Sequence, residues 1–224
     1  MTPSSIAAVV VAAMAALVLL AVADNRRRNS RERFIDDYRF PPGVRQRVLK
    51  RYPHLTEDQL DLVFRALRDY FHLCRKGKRR LLAMPSQVVD VAWHEFILFT
   101  RKYQAFCARA LGRFLHPTPT EAMPDRTMAT EGIRRTWRLA CLREGVDPKA
   151  ATAIPLLFAI DGRLGIEDGF HYVLNCMHMT ASHSNAYCAS HIGCGGGCGG
   201  GCAGNGCSSD SGGGDGGCGG GGGD

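Results

Sequence analysis

Residues 56–77 read T-E-D-Q-L-D-L-V-F-R-A-L-R-D-Y-F-H-L-C-R-K-G, and this stretch decides the fold. Thr56 and Gln59 stand at the spacing of a capping box, with Glu57 and Asp58 in the first turn, where acidic side chains oppose the positive end of a helix. Leu60, Val63, Phe64, Leu67, Phe71 and Cys74 then recur three and four residues apart. That stripe is the core face of an amphipathic helix. Arg75, Lys76 and Lys78 suit its C-terminal end, and Gly77 stops it.

The same grammar extends to both sides. Upstream, Pro41-Pro42-Gly43 opens a short helix to about Arg51, which Pro53 ends. Downstream, Pro85-Ser86 opens a second long helix, from about Gln87 to Leu111, closed by Gly112. Its core positions are Val89, Trp93, Phe96, Tyr103, Phe106 and Ala110, and its length is compatible with a break near Thr100. After a loop punctuated by Pro117 and Pro119, a third helix runs from about Arg126 to Arg143, burying Ile133, Trp137 and Cys141 and stopping at Gly145. Asp147-Pro148 caps a fourth, Pro148 being well placed at the first helical position. Pro155 kinks or splits it, and its apolar run 151–160 is too short to cross a membrane. No segment alternates with period two. The expected fold is all-α, a small irregular helical bundle.

The two ends of the chain differ from this middle. Residues 6–23, from Ile6 to Ala23, hold no polar side chain. At 1.5 Å per residue they reach roughly 27 Å, close to the ~30 Å of a bilayer's hydrocarbon core. Arg26, Arg27, Arg28, Arg31 and Arg33 follow, and no Lys or Arg precedes the run. The expectation is a single-pass transmembrane helix in an inner or plasma membrane, contacting membrane lipid. By the positive-inside rule its N-terminus lies outside and the rest is cytoplasmic. Ala21-Val22-Ala23 also fits a signal-peptidase site, but the missing basic n-region and the arginines just beyond it weigh against cleavage. A reducing cytosol would leave the ten cysteines as thiols or metal ligands, whereas export would favour disulfides. At the other end, 19 of the 32 residues beyond Ile192 are glycine, interrupted by Cys194, Cys198, Cys202, Cys207 and Cys218. With no branched apolar or aromatic side chain to bury, such a tail is expected to be disordered. The division is an anchor over 1–23, a basic linker over 24–40, a helical domain over 41–170, a His/Cys-rich connecting segment over 171–191 and a Gly/Cys-rich tail over 192–224.

All 28 Lys and Arg and 16 of the 21 acidic residues lie at or before Arg163, so residues 1–163 carry +12 and the remainder −5. Because the excess sits beside the anchor and along solvated helix faces, anionic headgroups explain it better than nucleic acid, which is an unlikely partner. A protein partner remains open to such a domain.

Chemistry concentrates in two places. Asp90 and His94 are one turn apart on the second long helix, where a carboxylate fixes the tautomer of an imidazole and raises its basicity, an arrangement that supports a general base or, with His116 and Cys107, a candidate metal site. Arg101 returns to the same side, and Cys107 and His116 follow; Glu95 points away toward solvent. The bland alternative is a hydrogen-bonded surface pair. Further on, His171, Cys176, His178, His183, Cys188, His191 and Cys194 crowd into 24 residues. Cys176 with His178, and Cys188 with His191 and Cys194, are the best candidate ligands there for zinc or another transition metal, although the spacing matches no zinc finger.

Residues 84–116, M-P-S-Q-V-V-D-V-A-W-H-E-F-I-L-F-T-R-K-Y-Q-A-F-C-A-R-A-L-G-R-F-L-H, resemble the signature of the bacterial relatives of the glycine-rich domain-containing protein family. The likeness extends more weakly to C-A-S-H-I-G-C at 188–194 and to the tail. It places a D-x-x-W-H motif at Asp90, Trp93 and His94, and an R-x-Y…C motif at Arg101, Tyr103 and Cys107. The family often pairs histidines after G-R-F; here His116 is followed by Pro117. The resemblance implies a site built on Asp90, His94 and His116 and implies no reaction. The residues leave three functions open: a membrane-anchored binding or accessory protein with a metal-binding or interaction tail, a metal-dependent enzyme using His94 oriented by Asp90, or a leader domain carrying a modified or secreted Gly/Cys peptide. No nucleophile elbow, phosphate loop, HExxH or dinucleotide fingerprint supports a named enzyme class.

Overall fold

The computed structural model describes residues 3–117, 126–174, 187–189 and 192, without the side chains of 3–11 and 126–129. Seven helices carry the described fold: α1 (Pro3–Asp36), α2 (Pro42–Arg51), α3 (Glu57–Lys76), α4 (Gln87–Ile97), α5 (Thr100–Ala110), α6 (Arg126–Glu144) and α7 (Leu156–Leu164). A parallel pair of two-residue strands, β1 (Tyr172–Val173) and β2 (Tyr187–Cys188), is the one sheet among the described residues. The all-α expectation holds.

α3 is the centre of the bundle. The Thr56 hydroxyl accepts from the Gln59 amide and the Gln59 side chain accepts from the Thr56 amide, closing the capping box. All six residues of the predicted stripe are buried, and so are Ala66, Tyr70, His72 and Leu73 on its flanks. Both flanks are covered because α1, α4, α6 and α7 all pack against this one helix. Phe40, Phe64, Phe71, Phe96 and Phe106 interlock around it, with centroids of 4.9 Å for Phe40–Phe64 and 4.7 Å for Phe71–Phe106. Such tilted and edge-on contacts suit the ring quadrupoles.

Residues 24–40 are not a linker. α1 continues through them without a break to Asp36, and Ile35 is fully buried. Glu32 pairs with Arg75, Asp36 holds His72 at 2.6 Å, and the Arg109 guanidinium lies 4.4 Å from the Phe34 ring. The basic composition of this stretch is the solvent face of a helix whose other face belongs to the core. Among the described residues no helix is long and apolar enough to cross a membrane; the described side chains of α1 begin at Ala12, leaving twelve apolar residues before Asp24.

The second long helix is two. Phe99 leaves the helical region at φ −82°, ψ 55° and becomes the residue before α5. Its ring packs where α2 offers Gly43, so closely that a Cβ there would meet Phe99 Cζ at 2.8 Å. The break lets α5 turn back onto α1, with Tyr103, Phe106, Cys107 and Ala110 buried. The fourth helix starts later than expected. Asp147 spends its carboxylate on the Lys149 amide in a local turn, and Pro155 keeps the residue before it extended, so α7 begins at Leu156, whose amide donates to Glu144.

Candidate functional site

The site is built on α4, and α4 is held at its N-terminus by two layers of side chains. Ser86 caps it, accepting from the Val89 amide. Behind Ser86 lies Asp161 of α7, fully buried. Its carboxylate accepts from the Ser86 hydroxyl at 2.7 Å, from the Gln87 and Val88 amides at 2.7 and 3.2 Å, and from the Phe170 amide at 2.9 Å. Four donors and a helix N-terminus stabilise a charge that would otherwise be costly to bury. Gly169 is part of the same joint, since a Cβ there would stand 2.7 Å from Asp161 Cβ. Sequence reasoning missed Asp161. The signal was present as one acid inside the apolar run L-L-F-A-I-D at 156–161.

One turn along, His94 Nδ1 lies 2.9 Å from the Asp90 carbonyl oxygen and 3.2 Å from Asp90 Oδ2. With the carboxylate ionised, both neighbours are acceptors; Nδ1 then carries the hydrogen and Nε2 is the basic nitrogen. Burial raises the Asp90 pKa above its ordinary value, and the nearby His94 opposes that rise. The pair is half open to solvent, the His94 side chain 53% exposed and Asp90 34%. Glu95, expected in solvent, is half-buried and pairs with Arg47 of α2 at 3.2 Å.

A cavity of about 540 Å³ opens in front of Asp90 and His94, and His116 joins them on its wall. Tyr70, Cys74 and Trp93 form the floor. Their polar atoms serve the frame: the Tyr70 hydroxyl donates to the Leu82 carbonyl at 3.2 Å, and Trp93 Nε1 donates to the Tyr103 hydroxyl at 3.1 Å. That hydroxyl in turn donates to the Leu115 carbonyl at 2.6 Å, fixing the segment that presents His116. Burial pushes the Cys74 thiol up to about 12, which disfavours the thiolate that a nucleophile needs. Arg79, Arg80 and Arg113, which the sequence reading did not single out, also line the cavity.

The predicted set is therefore brought together in part. Asp90, His94 and His116 share a cavity; Arg101 is exposed on α5 and does not line it. Cys107 is fully buried beside Tyr103 and the Leu115 backbone, and burial raises its thiol pKa. It leaves the candidate ligand set for that physical reason. Among the described residues no three of His, Cys, Asp and Glu stand close enough to hold a metal ion. Of the C-terminal candidates, Cys176, His178, His191 and Cys194 lie outside the described residues. Cys188 is disulfide-bonded, which takes its sulfur out of the thiolate pool. Of the two redox settings set out from the sequence, thiols or metal ligands in a reducing cytosol and disulfides on export, a disulfide at Cys188 accords with the second.

Fold and site together define a helical-bundle protein with a lateral, basic-walled cavity and a long projecting N-terminal helix. The chain belongs to the UCP032817-like family, whose model matches residues 30–192. That span begins in the second half of α1, in keeping with its place in the core. No curated protein and no solved structure matches the chain.

Proposed function

We propose that this chain is a single-pass membrane-tethered binding protein whose helical domain holds the cavity close to the bilayer surface. One observation carries the reading. Leu17, Val18, Leu19 and Leu20 step around α1 at about 100° each, and all four are 60–70% exposed. A helix apolar on every side and covered by nothing belongs in lipid rather than water. The same unbroken helix ends in the buried Ile35, so the apolar run and the core are joined by a rod instead of a flexible tether. Arg26, Arg27, Arg28, Arg31 and Arg33 stand where headgroups would be, and they favour a cytoplasmic domain. In this reading the glycine/cysteine tail is an interaction or metal-binding segment.

Alkaline carbonate extraction of membranes from cells expressing the full chain tests the tether. The native chain is expected in the pellet and the L17R/L20R variant in the supernatant; native chain released by carbonate would refute it. A second reading puts the domain on the oxidising side, and the Cys188 disulfide favours it. Protease protection in sealed vesicles separates the two orientations.

A further inference from the structure

We propose that the cavity beside α4 binds a small organic phosphate monoester. The site stands on its own residues and holds whether or not the chain is tethered. Arg79, Arg80 and Arg113 line the cavity, and Asp90 is its one acidic lining residue. With His94 and His116 neutral, the wall carries about two net positive charges at pH 7, matching the dianion of a monoester. Among the described residues none of the three arginines is paired with a carboxylate. Elsewhere on this surface arginines do find such partners, as Arg45 does with Glu57 and Asp61 and Arg51 with Asp168. Three unneutralised guanidiniums around one concavity repel each other in the free protein and are relieved by an anion.

The turn that presents them is deliberately built. Lys78 is the one non-glycine residue at positive φ among the described residues, at +55°. Arg113 donates to its carbonyl oxygen, pinning the turn from across the cavity. The turn directs Arg79 and Arg80 to the rim, and Arg113 arrives from the segment after α5. Gly112 precedes it at φ +71°.

The rest of the cavity decides against a bare inorganic ion. A volume of about 540 Å³ is in the range of small-molecule sites and far exceeds one phosphate. Leu82, Met84, Leu115, Pro117 and Phe170 supply apolar wall for an organic body.

The test is calorimetric titration of the full chain in detergent micelles with phenyl phosphate, with dihexanoyl phosphatidate in a parallel arm. Saturable binding is expected in at least one arm, with phenol, the neutral analogue, not binding. The R79Q/R80Q variant changes only exposed side chains, so it should melt at the native temperature yet bind about tenfold or more weakly, as expected for lost charge-assisted hydrogen bonds. R101Q, outside the cavity, should bind as the native chain does. Stronger binding of phenyl phosphate assigns a soluble ester, and stronger binding of the phosphatidate assigns a lipid headgroup. No saturable binding in either arm, or equal affinities for R79Q/R80Q and the native chain, would overturn the proposal.

Discussion

The Asp161 carboxylate lies 2.7 Å from the Ser86 hydroxyl inside the protein, and through it α7 sets where α4 begins. Ser86 donates to Asp161 and accepts from Val89, while Asp161 also takes the next two α4 amides. Replacing Asp161 by Ala strands four donors at once, two of them buried and two part-buried. Unsatisfied buried donors cost about 1–3 kcal/mol each, with partial relief from water. We expect D161A to lose roughly 3–5 kcal/mol, in the range for breaking a buried charge network. Denaturant unfolding of the full chain in micelles measures it. A loss below about 1 kcal/mol would mean that water replaces the carboxylate and that the joint is not rigid.

Tyr103 links the cavity floor to the segment bearing His116. Y103F keeps the ring and removes one oxygen, leaving Trp93 Nε1 without its acceptor and the Leu115 carbonyl without its donor. The expected cost is about 2–4 kcal/mol. Hydrogen exchange should also quicken at residues 113–116 while α3 keeps its protection. Uniform quickening across the bundle would show that Tyr103 acts on global stability alone.

Cys74, Cys107 and Cys141 are free and buried. Burial raises all three, Cys141 to about 11 and Cys74 to about 12. The thiolate is the reactive form, so iodoacetamide at neutral pH should leave these three unmodified in the native chain and label them in concentrated guanidinium. Peptide mass mapping reads the outcome. Labelling of Cys74 without denaturant would show that the cavity floor opens.

The helices and their order were legible because their signals are local. A capping box, a stripe with helical period and a stop glycine need no knowledge of the rest of the chain, and α3 matches its reading from Thr56 to Gly77. The break between α4 and α5 falls near Thr100, as the length of the run suggested, and Phe99 packs there on Gly43, fifty-six residues earlier, a contact no local signal shows. The linker reading failed at 24–40 because six arginines outweighed Phe34, Ile35 and Phe40, whose burial depends on α3 and α5. That Asp90 and His94 stand together on one helix face was legible from their spacing. The arginine wall and Asp161 were not, since their neighbours come from segments more than thirty residues away.

His72 gives the fold a pH dependence with a definite sign. Its Nε2 lies 2.6 Å from Asp36 Oδ1, and its Nδ1 is buried without a hydrogen-bond partner. Donation from Nε2–H to the carboxylate suits the neutral ring. A second proton on Nδ1 would place an unpaired charged donor in the interior. Desolvation therefore lowers the pKa below the ordinary 6.5, against the opposing pull of Asp36. The unfolded chain then binds the proton more readily than the folded one, so the contribution is intact above about 6.5 and is lost as pH falls through the window below it. The melting temperature of the full chain should drop between about pH 7 and pH 5. H72Q keeps a donor for Asp36 but cannot titrate, and it should flatten that part of the curve. An unchanged slope in H72Q would assign the acid sensitivity to other groups.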